Sequence, residues 1–160
     1  SSSILLYLFI FVFIIFFVES TQNTIPKYKL YIFYSIIVCV NSDIGGYIIG
    51  KIFKGKKLTK ISPNKTISGS IGSFACSLLT IPIFFYDLSF ININLLILTT
   101  LIISFASQLG YLIISYLKRL AKIKDTGNIL PGHGGILDRI DGILFGVTVG
   151  FFLLDIISKI

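Results

Sequence analysis

Five stretches of almost unbroken apolar residues, at about 4–18, 28–50, 69–86, 93–117 and 143–158, alternate along the chain with short polar segments. Each is close to the roughly 17–25 residues that a helix needs to cross the hydrocarbon core, where a backbone without water must bond to itself. The pattern predicts an all-α fold: a polytopic integral membrane helical bundle of about five transmembrane helices. It forms a single membrane-embedded domain over 1–160. The first stretch is short enough for a signal peptide, but no basic residue precedes it and no clean small-residue cleavage site follows, so it is read as a membrane helix. Composition agrees: 54% hydrophobic residues, 13% charged and a mean hydropathy of +0.93 exclude a water-soluble globule, whose charged share is about a quarter.

The polar segments are unequal. Six lysines fall between Lys51 and Lys65, and five further basic residues between Lys118 and Arg139, so eleven of the fourteen cations sit in two loops. Two spans separate these loops, which puts both on one face, and the positive-inside rule makes it the cytoplasmic one. The segment 87–92 then faces outward. Nucleic acid is excluded as a partner, because loops held at a bilayer surface present no element that reads a groove. Anionic lipid headgroups and nucleotide phosphates suit the charge better.

No methionine occurs, so the chain is expected to be a fragment or a processed product. Cys39 and Cys76 lie in different apolar stretches and read as small buried side chains rather than a disulfide.

Asp43 lies inside the second stretch, roughly 12 Å below its basic end at about 1.5 Å per helical residue. A carboxylate at that depth costs at least ~2.5–3.5 kcal/mol, and such residues usually face a polar cavity with a partner. Gly45, Gly46 and Gly50 beside it allow close approach, of another helix or of a ligand. In the following loop, most lysines serve topology. Ser62, Lys65 and Thr66 stand out as hydroxyls and a cation suited to a phosphomonoester at the surface.

Residues 115–141 hold the densest chemistry. Lys118, Arg119, Lys122 and Lys124, with Asp125, Asp138 and Asp141, surround the only histidine, His133, in a Pro131-Gly132-His133-Gly134-Gly135 turn. Asp138 and Asp141 are three apart, so on a helix they share a face and suit one divalent cation through hard oxygens. The glycines, Gly134 and Gly135 among them, expose backbone N–H groups to an anion at a helix start. A solvated helix face with local ion pairs is the plainer reading of Asp138-Arg139-x-Asp141, but the turn before it is hard to explain as mere connection. His133 has no second histidine or cysteine ligand set, which argues for a phosphate hydrogen bond over zinc.

The run Ser115-x-Leu117-Lys118-Arg119-x₄-Lys124-Asp125-x-Gly127-x₂-Leu130-Pro131-x-His133-Gly134-Gly135-Ile136-x-Asp138-Arg139-Ile140-Asp141 resembles, without a gap, the signature of phosphatidate cytidylyltransferases, also called CDP-diglyceride synthetases. Upstream, Asp43-x₂-Gly46-Tyr47-x₂-Gly50-Lys51 and Ser62-Pro63-x-Lys65-Thr66-x₂-Gly69 resemble two further stretches of that family. The resemblance covers roughly 40–155.

It implies an enzyme of phospholipid biosynthesis that joins CTP to phosphatidate, giving CDP-diacylglycerol and pyrophosphate, with Mg²⁺ required. On that basis Asp138 and Asp141 take the metal and Asp125 assists. Lys118, Arg119, Lys124, His133 and Arg139 hold triphosphate oxygens. Ser62, Lys65 and Thr66 hold the lipid phosphate or the nucleotide, and Asp43 organises the cavity between them. The expected setting is the inner membrane with the site facing the cytoplasm, and a homodimer is expected. Three positions depart from the family: Tyr111 replaces an aspartate that is a metal ligand there, and Ile114 and Ser68 replace glutamates. Members also have further spanning helices at the amino terminus. Two other functions compete: a CTP-dependent lipid kinase releasing CDP, and an inactive relative or non-enzymatic membrane partner.

Overall fold

The computed structural model describes residues 25–58, 65–120 and 137–159, with side chains over 27–58, 65–120 and 142–159. The first apolar stretch, 4–18, lies outside them. Among the described residues five helices follow one another: α1 (Ile25–Phe53), α2 (Ile67–Leu78), α3 (Ile81–Phe84), α4 (Ile93–Leu120) and α5 (Leu137–Ile157). Three runs are long and apolar enough to cross a membrane, Lys27–Phe53, Ile67–Phe84 and Ile93–Leu120, and Gly142–Ile157 is a shorter apolar helix. The all-α membrane bundle expected from the pattern is therefore what forms.

One span departs from the expected continuous helix. The stretch at 69–86 breaks between α2 and α3, where Pro82 occupies the first turn of α3. Proline has no N–H to offer the carbonyl four residues back, so Leu78 becomes the last residue of α2. The break is tied into the bundle by Asn41 on α1, whose Nδ2 donates to Thr80 Oγ1 at 3.0 Å.

The bundle buries small polar residues alongside its apolar core and turns many large apolar side chains outward. Ser35, Ser42, Ser73, Ser77, Thr99, Thr100, Ser104 and Ser107 are buried, while Phe33, Ile48, Ile71, Leu98, Phe105 and Phe152 are exposed. Lipid is as apolar as leucine, so burying leucine gains little there, and small residues that allow close packing and interhelical hydrogen bonds hold the helices instead. Tyr34 bonds Thr100 at 2.6 Å and Ser42 bonds Ser104 at 2.8 Å, each linking α1 to α4. An aromatic cluster around Tyr31, Tyr34, Phe84 and Phe151 closes the opposite end of the bundle.

Two glycine-lined seams set the helix positions. A Cβ on Gly45 of α1 would overlap Cys76, and one on Gly46 would meet Ser73 Oγ at 2.5 Å, so α1 and α2 pack backbone to backbone. On α5, Gly142 and Gly146 lie against Ser107, and Gly150 against Ser35 and Ile103. Both cysteines are free and sit in these seams, Cys39 beside Gly146 and Cys76 beside Gly45.

The pairings fix direction. α2 runs antiparallel to α1, and α5 runs antiparallel to α4, so the end of α1, the start of α2, the end of α4 and the start of α5 share one end of the bundle. Both basic loops therefore emerge at the same end, as their charge pattern predicts.

Candidate active site

Local structure at that end begins with the turn out of α1. Lys54 adopts φ 42°, the left-handed conformation that stops a helix, and its N–H reaches Gly50 O at 3.1 Å. The chain then runs beside itself: Leu58 N–H donates to Lys65 O at 2.8 Å and Ile67 N–H to Lys56 O at 2.9 Å. This short antiparallel pairing holds Lys65 over the bundle. Thr66 is extended and its Oγ1 accepts from Gly69 N at 3.1 Å, so its hydroxyl caps α2. The residues that close this loop, Ser62 included, lie outside the described residues.

Two helices face the Lys65 side chain. Its Nζ stands 4.2 Å from the centroid of the Tyr111 ring on α4. It also lies within electrostatic range of Asp43 on α1. Asp43 is exposed at the bundle surface. Two turns above Tyr111, Lys118 is 9% exposed and Arg119 is exposed at the last turn of α4. The sequence-predicted residues Asp43, Lys65 and Thr66 thus share one end of the bundle with Lys118 and Arg119. The glycines near Asp43 receive α2, the first of the two occupants considered for them.

Asp138, Arg139 and Asp141 are placed by their backbone. α5 begins at Leu137, and Gly142 packs against Ser107. One turn earlier on α5 is Asp138, and one turn later on α4 is Tyr111, so the antiparallel register brings the start of α5 to the level of Tyr111 and Ile114. Those are two of the positions where the family resemblance leads one to expect carboxylates. Ile114 is buried at 3% exposure. Lys124, Asp125, His133, Gly134 and Gly135 lie outside the described residues. Among the described residues no three His, Cys, Asp or Glu side chains come together as a metal site.

Two polar residues escaped the sequence reading. Gln108 and Ser70 meet between α4 and α2, with Ser70 Oγ donating to Gln108 Oε1 at 2.5 Å. The available signal was a glutamine in the middle of an apolar span, where polar side chains carry a cost and usually a purpose.

Comparison with known proteins decides the family. A model of the cytidylyltransferase family matches residues 1–157. The chain belongs to the cytidylyltransferase family. It is 49% identical over 118 residues to a phosphatidate cytidylyltransferase of Staphylococcus haemolyticus, covering 72% of this chain and 45% of that protein. It is 44% identical over 139 residues to the phosphatidate cytidylyltransferase of Bacillus subtilis, covering 85% of this chain and 52% of that protein. A Staphylococcus epidermidis relative of the same name is 46% identical over 119 residues, with 72% and 45% covered. The chain spans about half the length of the curated relatives it matches. In this member of the family, the Lys65 ammonium lies on a tyrosine ring at the level of the first turns of α5, which carry Asp138 and Asp141.

Proposed function

We propose that this chain carries the nucleotidyl-transfer site of a phosphatidate cytidylyltransferase, joining CTP to phosphatidate in phospholipid biosynthesis at the cytoplasmic face of the inner membrane. The observation that carries the reading is the convergence of Asp43, Lys65, Tyr111 and the start of α5 at the end of the bundle from which both basic loops emerge. Relatives bearing that activity by name support it.

In the reaction, an anionic phosphate oxygen of phosphatidate attacks the α-phosphorus of CTP. The new P–O bond forms as the α–β bridge breaks, and pyrophosphate leaves with the bridging electron pair. The nucleophile is already charged, so positioning and charge neutralisation carry the rate. Lys65, with Ser62 and Thr66, holds the lipid phosphate. Lys118, Arg119, Lys124, His133 and Arg139 hold the triphosphate, aided by the N–H groups of Gly134 and Gly135. Asp43 keeps the Lys65 ammonium between the two substrates, and Asp125 supports the cluster.

Asp138 and Asp141 are the hard-oxygen donors that would hold Mg²⁺, which when bound offsets triphosphate charge. The donor set fits a divalent ion through these two carboxylates. It is poorer than the family's by Tyr111, which stands at the level of α5's first turn where a carboxylate is expected, and by the buried apolar Ile114. These two residues favour a second reading, in which the chain binds both substrates but transfers slowly.

Radiolabelled CTP with phosphatidate and Mg²⁺ tests both. Label in lipid with pyrophosphate released supports transfer, whereas CDP release points to a lipid kinase. Absence of both incorporation and CTP binding, in the chain and in its Tyr111→Asp form alike, overturns the proposal.

A further inference from the structure

A cavity of about 310 Å³ opens between α2 and α4, below Lys65. It is of the size that small ligands use. Its walls are Leu58, Phe74, Phe105 and Leu109, with Ser70 and Gln108 the polar groups among them. Phe105 and Leu109 are exposed on the lipid-facing side of the bundle, so the cavity opens sideways towards the bilayer. Leu58 is the residue whose N–H pairs with the Lys65 carbonyl, which places one wall of the cavity beside the loop that carries Lys65.

Gln108 is 5% exposed, and its Nε2 is buried with no hydrogen-bond partner among the described residues. Ser70 uses the other end of the same amide. An unpaired buried amide donor costs about 1–3 kcal/mol, so a residue kept in that state calls for an acceptor that arrives from outside. The acceptor must come through an apolar opening and lie next to a cation. Gln108 is three residues deeper than Tyr111, roughly 4.5 Å along the helix. A phosphate held by Lys65 over Tyr111 is separated from the first ester carbonyl of its lipid by a glycerol carbon chain of comparable length.

We propose that this cavity takes the glycerol-ester region of a diacyl phospholipid with an anionic phosphate headgroup, and that Gln108 Nε2 donates to one of its ester carbonyls. Phe74, Phe105 and Leu109 then line the first methylenes of the acyl chain. The proposal rests on the reading of Lys65 as a lipid-phosphate ligand, and adds a subsite that reads the ester linkage rather than the phosphate.

The test is equilibrium binding to the purified full chain in nanodiscs, comparing dioleoyl phosphatidate with its di-O-alkyl counterpart, which has the same headgroup and no ester carbonyl. The unmodified chain is expected to bind the ester form roughly three- to ten-fold more tightly, the worth of one hydrogen bond. Gln108→Leu is expected to bring the ester form to the affinity of the ether form and leave the ether form unchanged. Lys65→Ala is expected to weaken both forms alike and preserve their ratio. Equal binding of the two lipids by the unmodified chain, or an ester preference that survives in Gln108→Leu, overturns the proposal. The comparison on the unmodified chain stands even if the variant folds poorly. Ester preference without cytidylyl transfer would remove the proposed activity and keep this subsite, whereas transfer without ester preference would do the reverse.

Discussion

The ammonium of Lys65 lies 4.2 Å from the centre of the Tyr111 ring, joining the loop before α2 to the middle of the third spanning run. A ring face attracts a cation through its quadrupole, by about 0.5–1 kcal/mol at exposed sites and ~2 kcal/mol when desolvated. At a position where the family resemblance leads one to expect a carboxylate, an aromatic ring orients the lysine instead.

Tyr111→Asp is expected to raise cytidylyl transfer by roughly ten-fold or more, since even outer-shell metal partners carry about 10–100-fold. Tyr111→Phe keeps the ring and should behave as the parent does. Labelled CTP incorporation at several Mg²⁺ concentrations checks this. Equal transfer by the unmodified chain and its Tyr111→Asp form would refute the expectation.

Asp138→Asn, made in the Tyr111→Asp background, should abolish transfer while membrane insertion stays normal. Retention of Mg²⁺-dependent turnover would remove Asp138 from the metal. Lys118→Ala should instead weaken apparent CTP affinity by roughly 10- to 100-fold, the scale of a lost charge-assisted hydrogen bond.

Cysteines introduced singly at Lys57 and Asn128 should react with an impermeant reagent only from the cytoplasmic side, and one at Ser89 only from outside. Lys57 and Ser89 lie at opposite ends of the span Ile67–Phe84. Labelling of Lys57 and Asn128 from opposite faces would contradict the topology.

Gly45→Ala should destabilise the chain in detergent by about 1–3 kcal/mol, the usual cost of overpacking, because the added methyl meets Cys76 and the backbone of Gly72. Thermal unfolding monitored by helical circular dichroism measures the loss. Thr66→Ala should cost about 1 kcal/mol through the lost cap of α2, and Thr66→Ser should restore it.

Much of this protein was legible before folding. Apolar stretches of bilayer length leave helices as the only open-ended structure that satisfies its own backbone, so the fold class follows from hydropathy. Charge confined to two loops fixed which ends of the helices lie together. The Asp138-Arg139-x-Asp141 run alone reads as a solvated helix face, and it was the glycine-rich turn before it that pointed to phosphate and metal chemistry. What a one-dimensional pattern could not supply was depth and facing. Gly45 and Gly46 read equally well as room for a ligand until α2 filled it, and Tyr111 read as a lost carboxylate until Lys65 was found on its ring. The stretch at 69–86 read as one continuous helix, and the structure shows the break at Pro82 held by Asn41 reaching Thr80. Gln108 is the clearest case: its cost in an apolar span is written in the sequence, while its unpaired donor depends on which neighbour α2 presents. Hydropathy is a property of each residue and survives in the sequence. Hydrogen-bond pairing and cavity shape belong to pairs of helices, and only their packing decided them.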